Sequence, residues 1–212
     1  MFSLRKELLT VFSIFFGTFV SLLILWQYNH PGSGAVFFTS AAPLVSLTPT
    51  IAKKEPIEVV TDVSPDGTSR LMMIKQQKET NTSYSLLASA VTDSQEKPIF
   101  SKTIDHVQNW TIPYNTWSPE NNYLFLKEST PTGNNYYVFN TNGNLFPDGA
   151  QFINVSELFN LKITDYTLTE ITGWADPNLL IINTKTKQGQ QGPSFWFEIP
   201  SRSFIQLSTH FG

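Results

Sequence analysis

The chain has 212 residues, 41% apolar, 14% aromatic and 15% charged, with a formal net charge of −3, the composition of a globular protein with one core and an appendage. A slightly acidic chain without a basic run excludes nucleic acid as a natural partner, because phosphate binding needs a basic face that releases counterions. The absence of cysteine excludes disulfides, thiolate metal sites and a cysteine nucleophile, and leaves the compartment open.

From Leu8 to Trp26 the chain carries no charged residue, and a helix of that length spans roughly 28 Å, about a bilayer's hydrocarbon thickness. Arg5 and Lys6 precede it, and after Glu7 no formal charge appears until Lys53. That bias places the N-terminus in the cytoplasm and the remainder outside, with Trp26 and Tyr28 as interfacial anchors. The expectation is a single-pass signal anchor over 8–28, after a cytoplasmic stub at 1–7. A cleaved signal peptide is the competing reading, with small-residue sites ending at Ala35 and Ala42, which lie late. A buried helix of a soluble domain is disfavoured by the lack of any polar face. Residues 29–56 hold prolines and small residues without useful periodicity and read as a linker.

From residue 57 the text changes to short β-type runs divided by turns. "IEVVTDV" leads into Ser64-Pro65-Asp66-Gly67, the residue order of a type I turn. "RLMMIKQ", "YSLLASAV" and "KPIFSKTI" follow. A second unit runs "NWTIPYNTW", Ser118-Pro119-Glu120-Asn121, "YLFLKE", "YYVFNT", Asn142-Gly143, "NLF". Residues 150–163 break the pattern with apolar residues near helical spacing, read as a one- to two-turn helix with Ser156 available as its cap. The third unit runs "YTLTEITGW", Asp176-Pro177-Asn178, "LLIINT", "PSFWFEIP", "SFIQLS". The units cover about 57–105, 106–149 and 164–209, a period of about 55 residues, somewhat longer than the roughly 40–50 of a four-stranded propeller blade. The second strands, Leu71 to Ile74, Tyr123 to Leu126 and Leu179 to Ile182, are apolar on both faces, as strands covered by a sheet on either side must be. The expected fold is an all-β ectodomain of three four-stranded propeller-like blades, open or partial. A β-sandwich, whose strands would alternate in and out, is the alternative.

"VSPDGTSRLMMI…YSLLASAV" and "WSPENNYLFL…NYYVFNTNG" resemble the WD40-like repeat of the TolB type. The resemblance covers about residues 57–209 in three copies and is weakest in the third, where Ala-Asp-Pro-Asn replaces the usual turn. It implies a propeller fold and an interaction role, with no shared catalytic residues to carry over. Three blades cannot close a ring, so an apolar face would be bare at each end. A second copy in a homodimer, a protein partner, or an open array capped by the helix would answer that.

Little chemistry stands out. There is no Gly-x-Ser-x-Gly elbow, and no phosphate loop, since "QGQQGP" lacks a following Lys-Ser/Thr and a helix. His30, His106 and His210 are far apart, so no metal site is expected. The amides of "NTNGN" suit a turn better than a hard cation. Glu128 or Asp165 with Glu170 would form a glycosidase dyad only by folding. The remaining candidates for ligand contact are Trp110, Trp117, Trp174 and Trp196, against the blander reading that repeat-equivalent tryptophans pack blade on blade. The sequence thus points to a membrane-anchored, extracytoplasmic protein-interaction or scaffold module without catalysis or cofactor. A glycan- or small-ligand-binding receptor domain using the repeated aromatics is the alternative.

Overall fold

In this computed structural model the described residues are 55–93 and 95–211. The expected stub, anchor and nearly all of the linker lie outside them. Among the described residues no helix is long and apolar enough to cross a membrane.

The described chain is mostly β, with three four-stranded antiparallel sheets, none closed into a barrel, and one short helix. The first sheet is a meander of β1 (Ile57–Val63), β2 (Ser69–Gln77), β3 (Asn81–Ala90) and β4 (Lys97–Asp105). The middle sheet joins β5 (Asn109–Thr111), β6 (Tyr123–Thr130), β7 (Gly133–Asn140) and β8 (Ile153–Asn154). Helix α1 (Val155–Lys162) follows, and then the third sheet of β9 (Tyr166–Asp176), β10 (Leu179–Thr186), β11 (Phe195–Glu198) and β12 (Ser203–Gln206).

The sheets stack in chain order through two apolar layers. Leu71, Met73, Tyr84, Leu86 and Phe100 of the first sheet meet Trp110, Leu124, Leu126, Tyr137 and Phe139 of the middle one. The opposite face of the middle sheet, with Phe125, Tyr136, Val138 and Ile153, packs on Leu180, Ile182, Phe195 and Phe197 of the third, and Val155 and Phe159 of α1 complete that layer. Each such side chain, fully buried, contributes about 1.5–3 kcal/mol of transfer free energy. Among the described residues the middle sheet is therefore covered on both faces, and each outer sheet on one.

Two turns show how far the repeat extends. Gly67 N donates to Ser64 O and Asn121 N to Ser118 O, each at 2.8 Å. Ser69 N reaches Ser64 Oγ at 2.9 Å, and Tyr123 N reaches Ser118 Oγ at 3.0 Å. The fourth turn residue is left-handed in both, with φ of 73° at Gly67 and 56° at Asn121, a conformation that asparagine tolerates better than most side chains. The third unit differs: Asn178 N turns back to Asp176 Oδ1 at 3.3 Å instead.

Two sequence expectations are corrected. "NLF" is not a strand, because Phe146 is drawn into the core by a tight turn, with Gly149 N donating to Phe146 O at 2.8 Å. The middle sheet takes its fourth strand from Ile153–Asn154. Ser156 does not cap the helix; Asn154 does, its side chain accepting from Glu157 N at 3.1 Å. Ser156 is the second residue of the helix, and its hydroxyl accepts from Tyr136 N at 3.0 Å, tying α1 to β7.

Candidate functional site

The features with functional potential are the joints between sheets, the cleft where their turns converge, and the two uncovered faces. The first joint centres on Glu128 of β6, whose side chain is almost fully buried between the first and middle sheets. Its carboxylate accepts from Trp110 Nε1 at 2.9 Å, Tyr137 Oη at 2.7 Å, Asn135 Nδ2 at 3.2 Å and Lys102 Nζ at 3.1 Å. Burial pushes its pKa up, but the bonds from Tyr137, Trp110, Asn135 and Lys102 outweigh this and hold it below the usual glutamate range. Burial, with Glu128 adding to it, drives the Tyr137 phenol well above its ordinary pKa. Trp110 lies stacked between Phe100 and Tyr137, with ring centroids at 5.5 and 4.9 Å. Every acceptor direction of Glu128 is used, so the group is a charged pin between sheets.

A cleft of about 590 Å³ opens where the three sheets bring their turn ends together. Pro65 and Asp66 come from the first sheet's turn, Asn115, Trp117 and Pro119 from the chain before β6, Thr172, Gly173 and Trp174 from β9, and Ile181 of β10 closes its edge where the outer face of the third sheet begins. Hydrogen bonds from Ser64 Oγ, Thr68 N and Asn121 Nδ2 hold the Asp66 carboxyl well below the usual aspartate range. The Asn121 bond, at 2.8 Å, links the turn of the middle unit to that of the first. Asn115, left-handed at φ 58°, packs against Gly173, where an added Cβ would stand 3.1 Å from the Asn115 Cβ.

The candidate tryptophans fall into two groups. Trp117 Nε1 donates to Asp62 Oδ2 at 2.9 Å, and Trp174 Nε1 to Thr116 O at 3.1 Å. Asp62 and Thr116 each lie two residues before the turn of the preceding unit, so both tryptophans make the same backward joint. They also line the cleft. Trp110 is 2% exposed and offers no ring face to solvent. Trp196 lies away from these three, on the third sheet in a row with Ile181 and Ile205, and its enclosed Nε1 has no acceptor among the described residues.

The other sequence candidates are dispersed. Glu128 is enclosed by its four donors, whereas Asp165 and Glu170 are exposed on the third unit. His106 contacts Thr82 Oγ1 and Glu79 O, and His210 contacts Gly192 O. Among the described residues no group of three or more His, Asp or Glu could hold a metal ion. The "NTNGN" amides serve the turn, with Asn142 Oδ1 accepting from Asn144 N at 2.9 Å.

Sequence reasoning treated Asp66 and Asn121 as turn residues only and offered Glu128 no partner but Glu170, which the structure leaves exposed on the third unit. The signal for the first pair was their shared place in the two turns. Glu128 carried a weaker signal, a carboxylate two residues after the apolar run Leu124 to Leu126 on the same strand.

Among the described residues nothing covers the outer face of the first or the third sheet. On the first sheet, register places Ile57, Val59 and Val63 beside Gln76, Ile74 and Arg70, and Leu87 pairs with Met72. Ile57, Val59 and Val63 are 57%, 52% and 49% exposed. On the third sheet the row Ile181, Trp196, Ile205 lies beside the row Leu179, Glu198, Ser203, and Ile205 is 45% exposed.

No known family model matches this chain, and no curated protein matches it. The described residues are defined by their architecture: a mostly β stack of three four-stranded sheets, pinned at the joints, in which no described element covers the outer face of the first or the third sheet.

Proposed function

We propose that the chain is a membrane-tethered, extracytoplasmic interaction module without catalysis, its sheets being successive blades of an open β-propeller of the TolB-like WD40 type. The observation that carries this reading is the exposed apolar residues on the outer faces of the stack, Ile57, Val59 and Val63 at one end and Ile205 at the other. Contiguous apolar faces of this kind are sites of association. Two further features support it. The turn pattern of the first two units and the backward joints of Trp117 and Trp174 fit one repeated step from sheet to sheet. The carboxylates that would serve an active site, Glu128 and Asp66, are committed to fixed hydrogen bonds, which favours scaffold over catalyst. The tether rests on the uncharged run Leu8–Trp26, flanked by Arg5 and Lys6.

The test places a photo-crosslinking residue at Ile74 or Ile205 of the full chain in intact cells. An adduct at either face supports the reading, and a folded protein with none at both faces removes it. External protease that digests the folded part while sparing the first residues supports the orientation. A second reading has one observation in its favour: Trp117 and Trp174 line the roughly 590 Å³ cleft, a volume suited to a small ligand. Glycans titrated against tryptophan fluorescence would give saturable quenching that Trp174→Phe reduces; no quenching removes this reading.

A further inference from the structure

We propose that the open face of the first sheet docks on the open face of the third sheet of a second copy of this chain, head to tail. This deepens the interaction-module reading and rests on it. The argument is the polarity of the stack. The middle sheet shows what each of its faces receives: Leu124 and Leu126 face the preceding sheet, and Phe125 faces the following one. The first sheet presents its following-side face inward through Leu71 and Met73, so its bare face, with Met72 and Ile74, is of the kind that receives a preceding sheet. The third sheet presents Leu180 and Ile182 inward, so its bare face, with Leu179 and Ile181, is of the kind that receives a following one. One chain therefore carries one unmatched face of each kind. A second copy supplies both complements, in a heterologous contact of one face with the other.

Two observations and an estimate of area make the second copy the better occupant. The first concerns charge. Arg70 lies on the bare face of the first sheet beside its Ser64–Thr68 turn, paired with Val63. Glu198 lies on the bare face of the third beside the corresponding Asp176–Asn178 turn, paired with Leu179. Neither has an ion-pair partner among the described residues, and stacking in repeat order brings these opposite charges to the same end.

The second is the joint position. Trp117 and Trp174 reach back to a preceding unit, but the first unit has Val63 at that place, exposed and without an N–H that needs an acceptor. At about 3.3 Å per residue and 4.8 Å between strands, the first sheet offers ~550 Å² of flat area and the third, with its two four-residue strands, ~430 Å². A ring closed by two chains uses both faces of each chain, ~1,000 Å², which passes the ~800 Å² per partner of a stable interface.

The absence of cysteine makes the test clean. Two differently tagged full-length chains, Met72→Cys and Ile181→Cys, are co-expressed in membranes and treated with a short bismaleimide. The expected result is a mixed product joining the two tags, with no product from either variant alone. A same-variant product, or no mixed product, overturns the proposal.

Charge exchange checks the register. Arg70→Glu alone is expected to lower the yield of joined chains about fivefold, and pairing it with Glu198→Arg chains is expected to restore it, because every junction of that mixed pair then matches. Loss without restoration overturns the stated register. A benzophenone maleimide on Met72→Cys identifies what covers the face. Capture of the third sheet of another copy supports the proposal. Capture of the chain's own first 54 residues overturns it, and capture of a different protein overturns it while leaving the interaction module standing. A folded protein that captures nothing at either face removes both.

Discussion

The middle sheet and its two neighbours use one sequence idea with different outcomes. In β6, Leu124, Phe125 and Leu126 are apolar in succession and all fully buried, because a sheet lies on either side. In β2 the same pattern leaves Leu71 and Met73 buried but Met72 and Ile74 half-exposed, and in β10 it leaves Leu180 and Ile182 buried but Leu179 and Ile181 half-exposed. An apolar residue on a strand's second face thus specifies a requirement for cover, which position in the stack either meets or leaves unmet.

The largest effect that sharpens this comparison is expected at the middle sheet. Phe125→Ala should cost about 3–5 kcal/mol and Leu126→Ala about 2–5 kcal/mol in chemical denaturation, through lost burial and a residual cavity. Ile74→Ala should cost only about 1 kcal/mol in dilute protein, since its side chain is already partly wet. An Ile74→Ala cost that rises with protein concentration would show the open face becoming covered. An equal cost at all three positions would break the distinction between middle and outer sheets.

The Glu128 pin comes next. Glu128→Gln should destabilise by about 2–3 kcal/mol, because the ion pair with Lys102 is lost while buried donors remain, Lys102 itself being partly exposed. The sign of the pH dependence follows from the lowered folded-state pKa. The stabilisation is fully present above the ordinary glutamate value of 4.5 and is lost as pH falls through the lower folded value. Denaturation midpoints should therefore fall as pH drops below 4.5, and the variant should show a shallower acid limb. Asp66 and Asp148 shift in the same direction from exposed positions, so some acid dependence should remain.

Helix α1 gives a smaller effect. Asn154→Ala removes the cap and should cost about 1 kcal/mol, while Ser156→Ala should disturb the hydrogen bond to β7 rather than the helix. Hydrogen exchange at Glu157 and at Tyr136 separates the two, because each variant frees a different amide. The smallest change is expected at the matched turns. Asn121→Gly relieves a left-handed residue and loses the bond to Asp66, and the two should offset to within about 0.5 kcal/mol in a thermal melt. A large loss would mean that the link between turns matters more than their geometry.

Much of the strand text was legible because local chemistry dictates it. Ser64-Pro65-Asp66-Gly67 and Ser118-Pro119-Glu120-Asn121 form like turns, and the apolar runs after them form β2 and β6. "NLF" failed as a strand because Phe146 belongs to a core layer that packing creates. Asn154 displaced Ser156 as the cap because β8 consumes the residues just before the helix. The role of Trp117 and Trp174 was half legible, since their repeat position was visible but the acceptors Asp62 and Thr116 lie in the preceding unit, about 55 residues away.

The sequence by itself determined the mostly β character of the described residues, most of their strands and the turns that divide them, since periodicity and turn residues act over a few positions. Only the tertiary structure decided which apolar faces are covered, which carboxylate is pinned and where the three turns converge. Those depend on contacts between residues distant in the chain, and the choice among them is made by burial and hydrogen-bond satisfaction across the whole stack.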